Sequence, residues 1–313
     1  MQKYYFFIAI VILSAGAVVA QTNQTGTPAA SGERPLIKTE NMKGVLLEAI
    51  RVNNDGVTKG LDGRYREAAE DFRKAAELAP NCLECRYNLG RALLKTGGEI
   101  EAVEIFNAVI AEKKDFRNVY AALGDALSET GRFEEGAAAY REALRLDGKD
   151  AVTLSNLGHS LEEMKNHKEA LDVLNEAIRL DPHLAEAHSN LGVTLFSMGR
   201  VKEAVENFRT AISLNPNSAE ACNNLGVALD RLGRKEAHRY FVEAARLRPD
   251  WSYAIYNLGV SNLKRGERDA ARTQLTSLER LDAGLAENLK KRLWEKYIVE
   301  VPKKTPAGNA LRH

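Results

Sequence analysis

Small and apolar residues recur along this chain with a period of 34 residues. The clearest copy is residues 185–218, and residues 151–184 align with it without a gap. The aligned positions are Leu157-Gly158 with Leu191-Gly192, Ala170 with Ala204, Ala177 with Ala211, and Pro182 with Pro216. A fixed period of this size indicates stacked supersecondary units. Within a unit the spacing predicts two helices of about 12–14 residues, which are marginal in water unless they pack on neighbours.

Seven such repeats fit the chain between residues 49 and 285. Their bounds are 49–82, 83–116, 117–150, 151–184, 185–218, 219–251 and 252–285, and we number the positions within each repeat from 1 to 34. The first repeat is degenerate, because Asp55 stands at a Leu position and Lys59 at another core position. We expect Leu46, Leu47 and Ile50 to supply the apolar face of its first helix, since terminal repeats are commonly atypical. The sixth repeat is one residue short.

The repeats share an Asn-Leu-Gly, followed by Ala, an aromatic residue or Leu, Ala and Pro. This pattern closely resembles the tetratricopeptide repeat family, in an exported bacterial type. The resemblance implies an all-α fold, an α-solenoid over residues 41–285 that forms a right-handed superhelix, with the first helix of each repeat on the concave face. The Gly at position 8 costs about 1 kcal/mol of helix propensity relative to Ala. We therefore expect it to permit a close approach of the partner helix.

The segment before the repeats predicts export. Lys3 precedes an uncharged apolar run, residues 4–20, whose small terminal residues are typical of a secretory signal peptide over residues 1–20. The run is also close to the minimum length for a membrane span, so an uncleaved signal-anchor stays open. Either interpretation places the repeats outside the cytoplasm, periplasmic or secreted, because positive charge stays inside.

The remaining segments predict a linker, a cap and a tail. Residues 21–40 are rich in Thr, Gly, Ser, Ala and Pro and are expected to form a flexible linker. Residues 286–300 continue a helical apolar spacing, which predicts a capping helix over the last repeat. Residues 301–313 contain two prolines and are expected to be a disordered tail.

Charge and composition narrow the function. The chain has 44 Lys and Arg against 43 Asp and Glu, so the basic surface that nucleic-acid binding needs is not expected. The six His residues show no metal-ligand spacing, and no phosphate loop or nucleophile elbow is present in the sequence. The sequence therefore predicts no catalytic residue, no metal site and no cofactor, and the protein is not expected to be an enzyme.

The motif Cys82-Leu83-Glu84-Cys85 is the one candidate for redox chemistry. It spans the turn into the second repeat of an all-helical chain, whereas a redox-active CxxC usually lies near a βαβ pattern. Three interpretations stay open: unbridged packing residues, a structural disulfide of an exported protein, and a redox-active pair. The third cysteine, Cys222, stands at a packing position.

Position 6 carries an Asn in five repeats, namely Asn88, Asn156, Asn190, Asn224 and Asn257. An exposed amide offers a donor and an acceptor, so such a row could hold the backbone of an extended peptide. The row resembles the asparagine ladder in the superhelix of O-linked N-acetylglucosamine transferase, and a purely structural use is equally open. The other predicted peptide contacts are Val193, Phe196, Val227, Val260 and Tyr256. The Lys and Arg of the carboxylate clamp of co-chaperone members of the family are not at the matching positions.

Together these patterns favour a non-catalytic scaffold that binds an extended peptide or a partner protein in its concave groove. An accessory or regulatory subunit of an envelope enzyme, such as a glycan-modifying transferase, and an architectural spacer are the alternatives. Nucleic acid is not an expected partner. The only membrane contact predicted is an uncleaved N-terminal anchor, and the pattern predicts no particular oligomeric state.

Overall fold

The computed structural model describes residues 37–146 and 149–300, and every regular element in these ranges is an α-helix. The helices are α1 Ile37–Leu61, α2 Tyr65–Leu78, α3 Leu83–Leu94, α4 Glu99–Glu112, α5 Arg117–Glu129, α6 Phe133–Leu146, α7 Ala151–Glu163, α8 His167–Leu180, α9 Ala185–Ser197, α10 Val201–Leu214, α11 Ala219–Arg231, α12 Ala237–Leu247, α13 Ser252–Arg265, α14 Arg268–Leu281 and α15 Ala283–Glu300. Odd-numbered helices up to α13 are the first helices of the repeats, and even-numbered ones are the second. The predicted all-α repeat fold is confirmed.

The second helices are amphipathic because small and apolar residues recur every third or fourth position. In α8 the buried residues are Ala170, Leu174 and Ala177, and their spacing of four and three places them on one side of the helix. A helix of 14 residues gains most of its stability from packing such a face on its neighbours rather than from its own propensity.

The turn between the first and second helix contains a residue with left-handed backbone geometry. Gly199 has φ 77° between α9 and α10, and Lys165 has φ 60° at the same position of the fourth repeat. Glycine adopts this conformation without a steric penalty, whereas a side chain such as that of lysine is disfavoured there. The turn of the fourth repeat therefore has the same left-handed backbone geometry as the other turns, with a lysine in place of the usual glycine.

The glycine at position 8 is the point where the two helices of a repeat come closest. A Cβ added to Gly192 would lie 2.6 Å from Cε1 of Phe208, and Phe208 is buried. The degenerate first repeat keeps the same pairing, since a Cβ on Gly56 would lie 2.9 Å from Cε1 of Phe72. The predicted close approach is confirmed, and its partner is the aromatic residue at position 24.

The contacts divide the chain into two compact bodies, with the division between Ser160 and Leu161 inside α7. In the N-terminal body, consecutive helices pack on one another from α1 to α6, and α3 also touches α1 and α5. In the C-terminal body, consecutive helices pack from α8 to α15, and α11 also touches α9 and α13. Within each body the contacts are therefore those of a stacked repeat array.

The first helix of the first repeat buries a different side than its sequence predicted. Leu46 and Ile50 are half-buried, but Leu47 is 68% exposed, so its predicted core role is wrong. The buried face of α1 instead includes Ala49 and Val52. Residues 47 and 49 are two positions apart, which places their side chains on nearly opposite sides of a helix.

Helix α15 packs on both helices of the seventh repeat. It begins at Ala283, three residues before the predicted start of the capping helix. The seventh repeat has the half-buried Leu275 where most other repeats have a buried aromatic residue, and a Cβ on Gly259 would lie 2.6 Å from Cδ2 of Leu289 on α15. The capping helix thus supplies the side chain that fills the glycine position of its neighbour.

The two cysteines of the CxxC motif are bonded to each other, with sulfur atoms 2.08 Å apart. Cys82 is the N-cap residue of α3, and Cys85 is buried beside Val52 of α1 and Ala75 of α2. The disulfide therefore lies at the packing boundary of the first two repeats. Cys222 is buried and unpaired.

Several predicted segments lie at or beyond the ends of the described residues. The leader at residues 1–20 and the tail at residues 301–313 are outside them. Helix α1 begins at Ile37, so the last four residues of the predicted linker are helical. Among the described helices, none combines the length and the apolar character that crossing a bilayer requires.

Candidate functional site on the first helices

The candidate site is the surface formed by positions 5, 6, 9 and 12 of the first helices, which we call the first-helix face. In the N-terminal body it is carried by α3, α5 and the start of α7, and in the C-terminal body by α9, α11 and α13. The predicted contact residues are Asn88 on α3, Asn156 on α7, Asn190, Val193 and Phe196 on α9, Asn224 and Val227 on α11, and Tyr256, Asn257 and Val260 on α13.

In the N-terminal body the position-6 amides connect consecutive first helices. Asn88 is buried, and its Nδ2 donates to Oδ1 of Asn53 on α1 at 3.1 Å. Asn156 is half-buried, and its Nδ2 donates to Oδ1 of Asp125 on α5 at 3.0 Å. Each amide therefore bonds to the preceding first helix and helps to hold neighbouring repeats in register.

The C-terminal body repeats this arrangement with an amide pair. Nδ2 of Asn257 donates to Oδ1 of Asn223 on α11 at 2.8 Å, and Asn223 is itself buried. Nδ2 of Asn223 donates in turn to Oδ1 of Asn224 at 3.5 Å. Asn190, Asn224 and Asn257 are all half-buried.

The expectation that these amides face solvent freely is thus wrong. Close packing of consecutive first helices places position 6 of one repeat beside position 5 or 9 of the repeat before it, where a buried amide needs a partner. In Asn156 and Asn257 the NH2 group makes that bond, and no described donor reaches their Oδ1 atoms. What these two residues offer a ligand is an acceptor rather than a complete amide.

Asp125 at position 9 is the centre of a polar network that the sequence did not reveal. The hydroxyl of Tyr140 donates to Oδ1 of Asp125 at 2.8 Å, alongside the bond from Asn156. Burial raises the pKa of Asp125, against the lowering effect of these two bonds and of the charges of Arg91 and Lys95. Burial and the nearby Asp125 carboxylate raise the pKa of Tyr140 as well. In the sequence this network was indicated only by the third repeat, which has a Tyr rather than a Phe at position 24 and an Asp at position 9.

The predicted apolar contacts fall into two groups. Val193, Phe196 and Val227 on α9 and α11 are half-buried, and each keeps part of its surface accessible. Tyr256 and Val260 on α13 are half-buried too, but they pack on the cluster that α13, α14 and α15 form. The first three therefore have more freedom to contact a ligand than the last two.

Charged and polar side chains flank the face in the C-terminal body. Nζ of Lys264 on α13 lies 2.6 Å from Oδ2 of Asp230 on α11, and both side chains are exposed. Nδ1 of His238 lies 3.1 Å from Oγ of Ser261, and burial lowers the pKa of this histidine. These contacts hold polar side chains in place on the last helices of the C-terminal body. They do not bring together a recognisable set of catalytic residues.

Other parts of the described surface do not suggest chemistry. Among the described residues no group of His, Cys, Asp and Glu could hold a metal ion. Two open clefts of about 450 and 620 Å3 are lined mainly by charged residues, the first around Tyr65 and Lys95 and the second around Lys202 and Arg209. Neither cleft includes a predicted contact residue.

Comparison with known protein families matches this chain to three models. One described as TPR repeat matches residues 163–199 and 194–233. Two described as tetratricopeptide repeat match residues 61–127 and 118–150. No curated protein sequence matches the chain significantly.

Two solved structures share the fold over most of this chain, and a third matches a shorter stretch of it. A tetratricopeptide repeat protein from Parabacteroides merdae is 16% identical with a TM-score of 0.64, covering 80% of this chain and 99% of its own. A chain of the APC/C hetero-tetramer Cut9-Hcn1 is 18% identical with a TM-score of 0.67, and the match covers 79% of this chain but only 48% of that one. YrrB, described as a TPR protein with an unusual peptide-binding site, is 28% identical over 60% of this chain and 99% of its own, with a TM-score of 0.44.

Proposed function

Because this chain belongs to the tetratricopeptide repeat proteins and is an interaction scaffold, we propose that it binds an extended segment of a partner protein along the first-helix face of α9, α11 and α13. Repeats of this family are typically non-catalytic interaction modules. The proposal confines the ligand to the C-terminal body, which carries the accessible apolar side chains. The partner supplies an unpaired backbone and apolar side chains.

The observation that carries the proposal is the combination of apolar and acceptor groups on neighbouring first helices. Val193, Phe196 and Val227 are half-buried, so they keep apolar surface that a ligand could remove from water. Oδ1 of Asn257 receives no described donor, while its Nδ2 is held at 2.8 Å by Asn223. A fixed acceptor beside apolar surface suits the N–H groups and alternate side chains of an extended chain.

The experiment uses peptides selected on the purified protein from a displayed random library. Truncation of Phe196 to Ala is expected to weaken their binding by about tenfold to a hundredfold, because burial of a large apolar side chain contributes about 1.5–3 kcal/mol. The matched control is Ile100→Ala on α4, since Ile100 is 73% exposed and far from the proposed face in sequence. Urea unfolding of both variants separates loss of binding from loss of fold.

A second arm tests the acceptor role without altering the protein. N-methylation of a backbone amide that contacts Asn257 should weaken the peptide several-fold, because one hydrogen bond contributes about 0.5–1.5 kcal/mol net. Methylation of flanking amides serves as the control. If Phe196→Ala and every N-methylated peptide bind as the parents do, the ligand does not use this face.

We further propose that the repeats act outside the cytoplasm. The apolar run at residues 4–20 supports this location, and so does the Cys82–Cys85 disulfide, because such bonds persist mainly in oxidising compartments. Cell fractionation with N-terminal sequencing tests it: a chain beginning at Gln21 outside the cytoplasm indicates cleavage, and Met1 in a membrane fraction indicates an anchor. Recovery of the chain in the cytosol, with Cys82 and Cys85 reduced, would contradict both.

A further inference from the structure

The first-helix face of the C-terminal body has a charged residue beyond each end of its apolar centre. Position 2 lies four residues before position 6, and position 13 lies four residues after position 9, so both are on the same side of the first helix. At about 1.5 Å per residue, positions 2 and 13 are about 17 Å apart along the helix. They form two edges of the face, with the half-buried Val193 and Val227 of position 9 between them.

The two edges carry opposite charges. Position 2 holds Glu186 on α9 and Glu220 on α11. Position 13 holds Arg231 on α11 and Lys264 on α13. The face is therefore acidic where the first helices begin and basic where they end.

The helix dipole favours the same signs, because it attracts acids to the first turn of a helix and bases to the last. On α5, however, the two positions carry Asn118 and Glu129, so the fold does not require this polarity. On α3 the polarity recurs, but position 9 is Arg91 instead of a valine. The C-terminal body therefore combines the two charged edges with an apolar centre.

Two of these four charges are already used within the chain. The ion pairs join Glu220 to Arg248 and Lys264 to Asp230. Glu186 and Arg231 are exposed, and their side chains form no ion pair or hydrogen bond with any described residue. The face thus keeps one free carboxylate on α9 and one free guanidinium on α11, on opposite edges.

The positions of these two groups fit the geometry of an extended chain. Helices α9 and α11 touch, and touching helices lie about 8–10 Å apart. An extended chain covers that distance in about three residues, at about 3.3 Å each. Side chains three residues apart point to opposite sides of such a chain, as the two edges of the face require.

We propose that the extended segment bound by the first-helix face carries a basic residue that pairs with Glu186 and, about three residues away, an acidic residue that pairs with Arg231. This specificity rests on the proposed function and names the partner that the face selects. The apolar side chains of the segment lie between the two charged residues, over Val193 and Val227. A segment with the two charges exchanged would meet a like charge at each edge.

The probes are the peptides selected on the purified protein from the displayed random library. We expect a basic and an acidic residue about three positions apart to be enriched among them relative to the unselected library. Glu186→Lys should weaken such a peptide about threefold to tenfold, because it replaces an exposed ion pair with a like-charge contact. Exchange of the basic peptide residue for Glu should restore binding to this variant, and the corresponding exchange should restore binding to Arg231→Glu.

The matched controls reverse two exposed charges on α14, a second helix. Glu279 and Arg280 form no ion pair with any described residue, so Glu279→Lys and Arg280→Glu change the net charge equally without touching the face. These controls should bind the peptides as the parent does. High salt should reduce the effect of Glu186→Lys, since exposed charges are screened, and circular dichroism checks that each variant keeps its helices.

The effect of Phe196→Ala separates this inference from the proposed function. If Phe196→Ala weakens the peptides but Glu186→Lys weakens them no more than Glu279→Lys does, the face binds peptides without reading charge, and only the inference is overturned. The same holds if the exchanged peptide fails to restore binding. If Phe196→Ala has no effect either, both the inference and the proposed function are overturned.

Discussion

The first-helix faces of the two bodies use position 9 in opposite ways. In the N-terminal body this position holds Arg91, Asp125 and His159, and Asp125 is engaged by a buried tyrosine and an amide. In the C-terminal body it holds Val193 and Val227, followed by Val260, all half-buried. In the N-terminal face the buried carboxylate is satisfied by hydrogen bonds within the chain, whereas the C-terminal face retains apolar surface.

The difference shows how a repeat array can assign packing and binding to separate stretches of one pattern. A hydrogen-bonded polar network specifies the register of its helices, but most of its donors and acceptors are already in use. Apolar side chains that are only half-buried can still stabilise a complex, because a partner can remove the rest of their surface from water. We therefore place the proposed ligand on the C-terminal face, and the following variants test that assignment.

The largest expected effect is at the cap of the C-terminal body. Leu289→Ala should destabilise the chain by about 2–5 kcal/mol, because it removes a fully buried side chain that fills the space over Gly259. Leu47→Ala in the N-terminal body is the matched control, since Leu47 is 68% exposed and should matter by no more than about 0.5 kcal/mol. Urea unfolding measures both, and a larger loss for Leu47→Ala would reverse the assignment of α1.

The second-largest effect is expected from overpacking at the position-8 glycines, and it should be equal in the two bodies. Gly124→Leu and Gly192→Leu each force a side chain against a buried ring, since a Cβ would lie 2.5 Å from Tyr140 and 2.6 Å from Phe208 respectively. Each is expected to cost about 1–3 kcal/mol through overpacking. Ser197→Leu at the exposed end of α9 is the control. Unchanged urea midpoints in the glycine variants would show that the close approach is not required.

Alanine variants of the position-6 asparagines should show a smaller difference in stability between the two bodies. Asn88→Ala leaves Asn53 buried without its partner and should cost about 1–3 kcal/mol. Asn257 is only half-buried, so Asn257→Ala should cost about 0.5–1.5 kcal/mol. A double-mutant cycle with Asn223→Ala isolates the coupling in the C-terminal pair. A zero coupling energy would mean that this amide is free for a ligand after all.

The smallest expected effect is a change of folding stability with pH. Burial raises the pKa of Asp125 in the folded chain, so the folded state binds a proton more readily than the unfolded state. Stability should therefore fall as the pH rises from the unfolded pKa of about 3.9 through the folded value. Asp125→Asn keeps acceptor and size but cannot titrate, and its stability relative to the parent should rise over the same interval. A stability difference that stays constant as the pH rises from below the unfolded pKa of about 3.9 into the neutral range would contradict the raised pKa.

Much of the fold could be predicted because the repeat period encodes it locally. The Leu-Gly pairs, the alanines of the second helix and the turn glycines each act within one hairpin, so their roles follow from spacing alone. Side-chain direction at the ends of the array could not be predicted in this way. Leu47 lacks a preceding repeat to pack on, and whether a leucine is buried there depends on neighbours that the pattern does not include.

The sequence by itself determined the all-α repeat architecture, the absence of recognisable catalytic motifs and the rows of asparagine and valine at positions 6 and 9. Only the tertiary structure decided what those rows do. Whether Asn257 faces a ligand or Asn223 depends on how closely α11 and α13 approach, and that distance results from packing over 34 residues of separation. For the same reason Asp125 became part of a buried network: a carboxylate takes its role from the groups that surround it, and Tyr140 and Asn156 reach it only in the packed repeats.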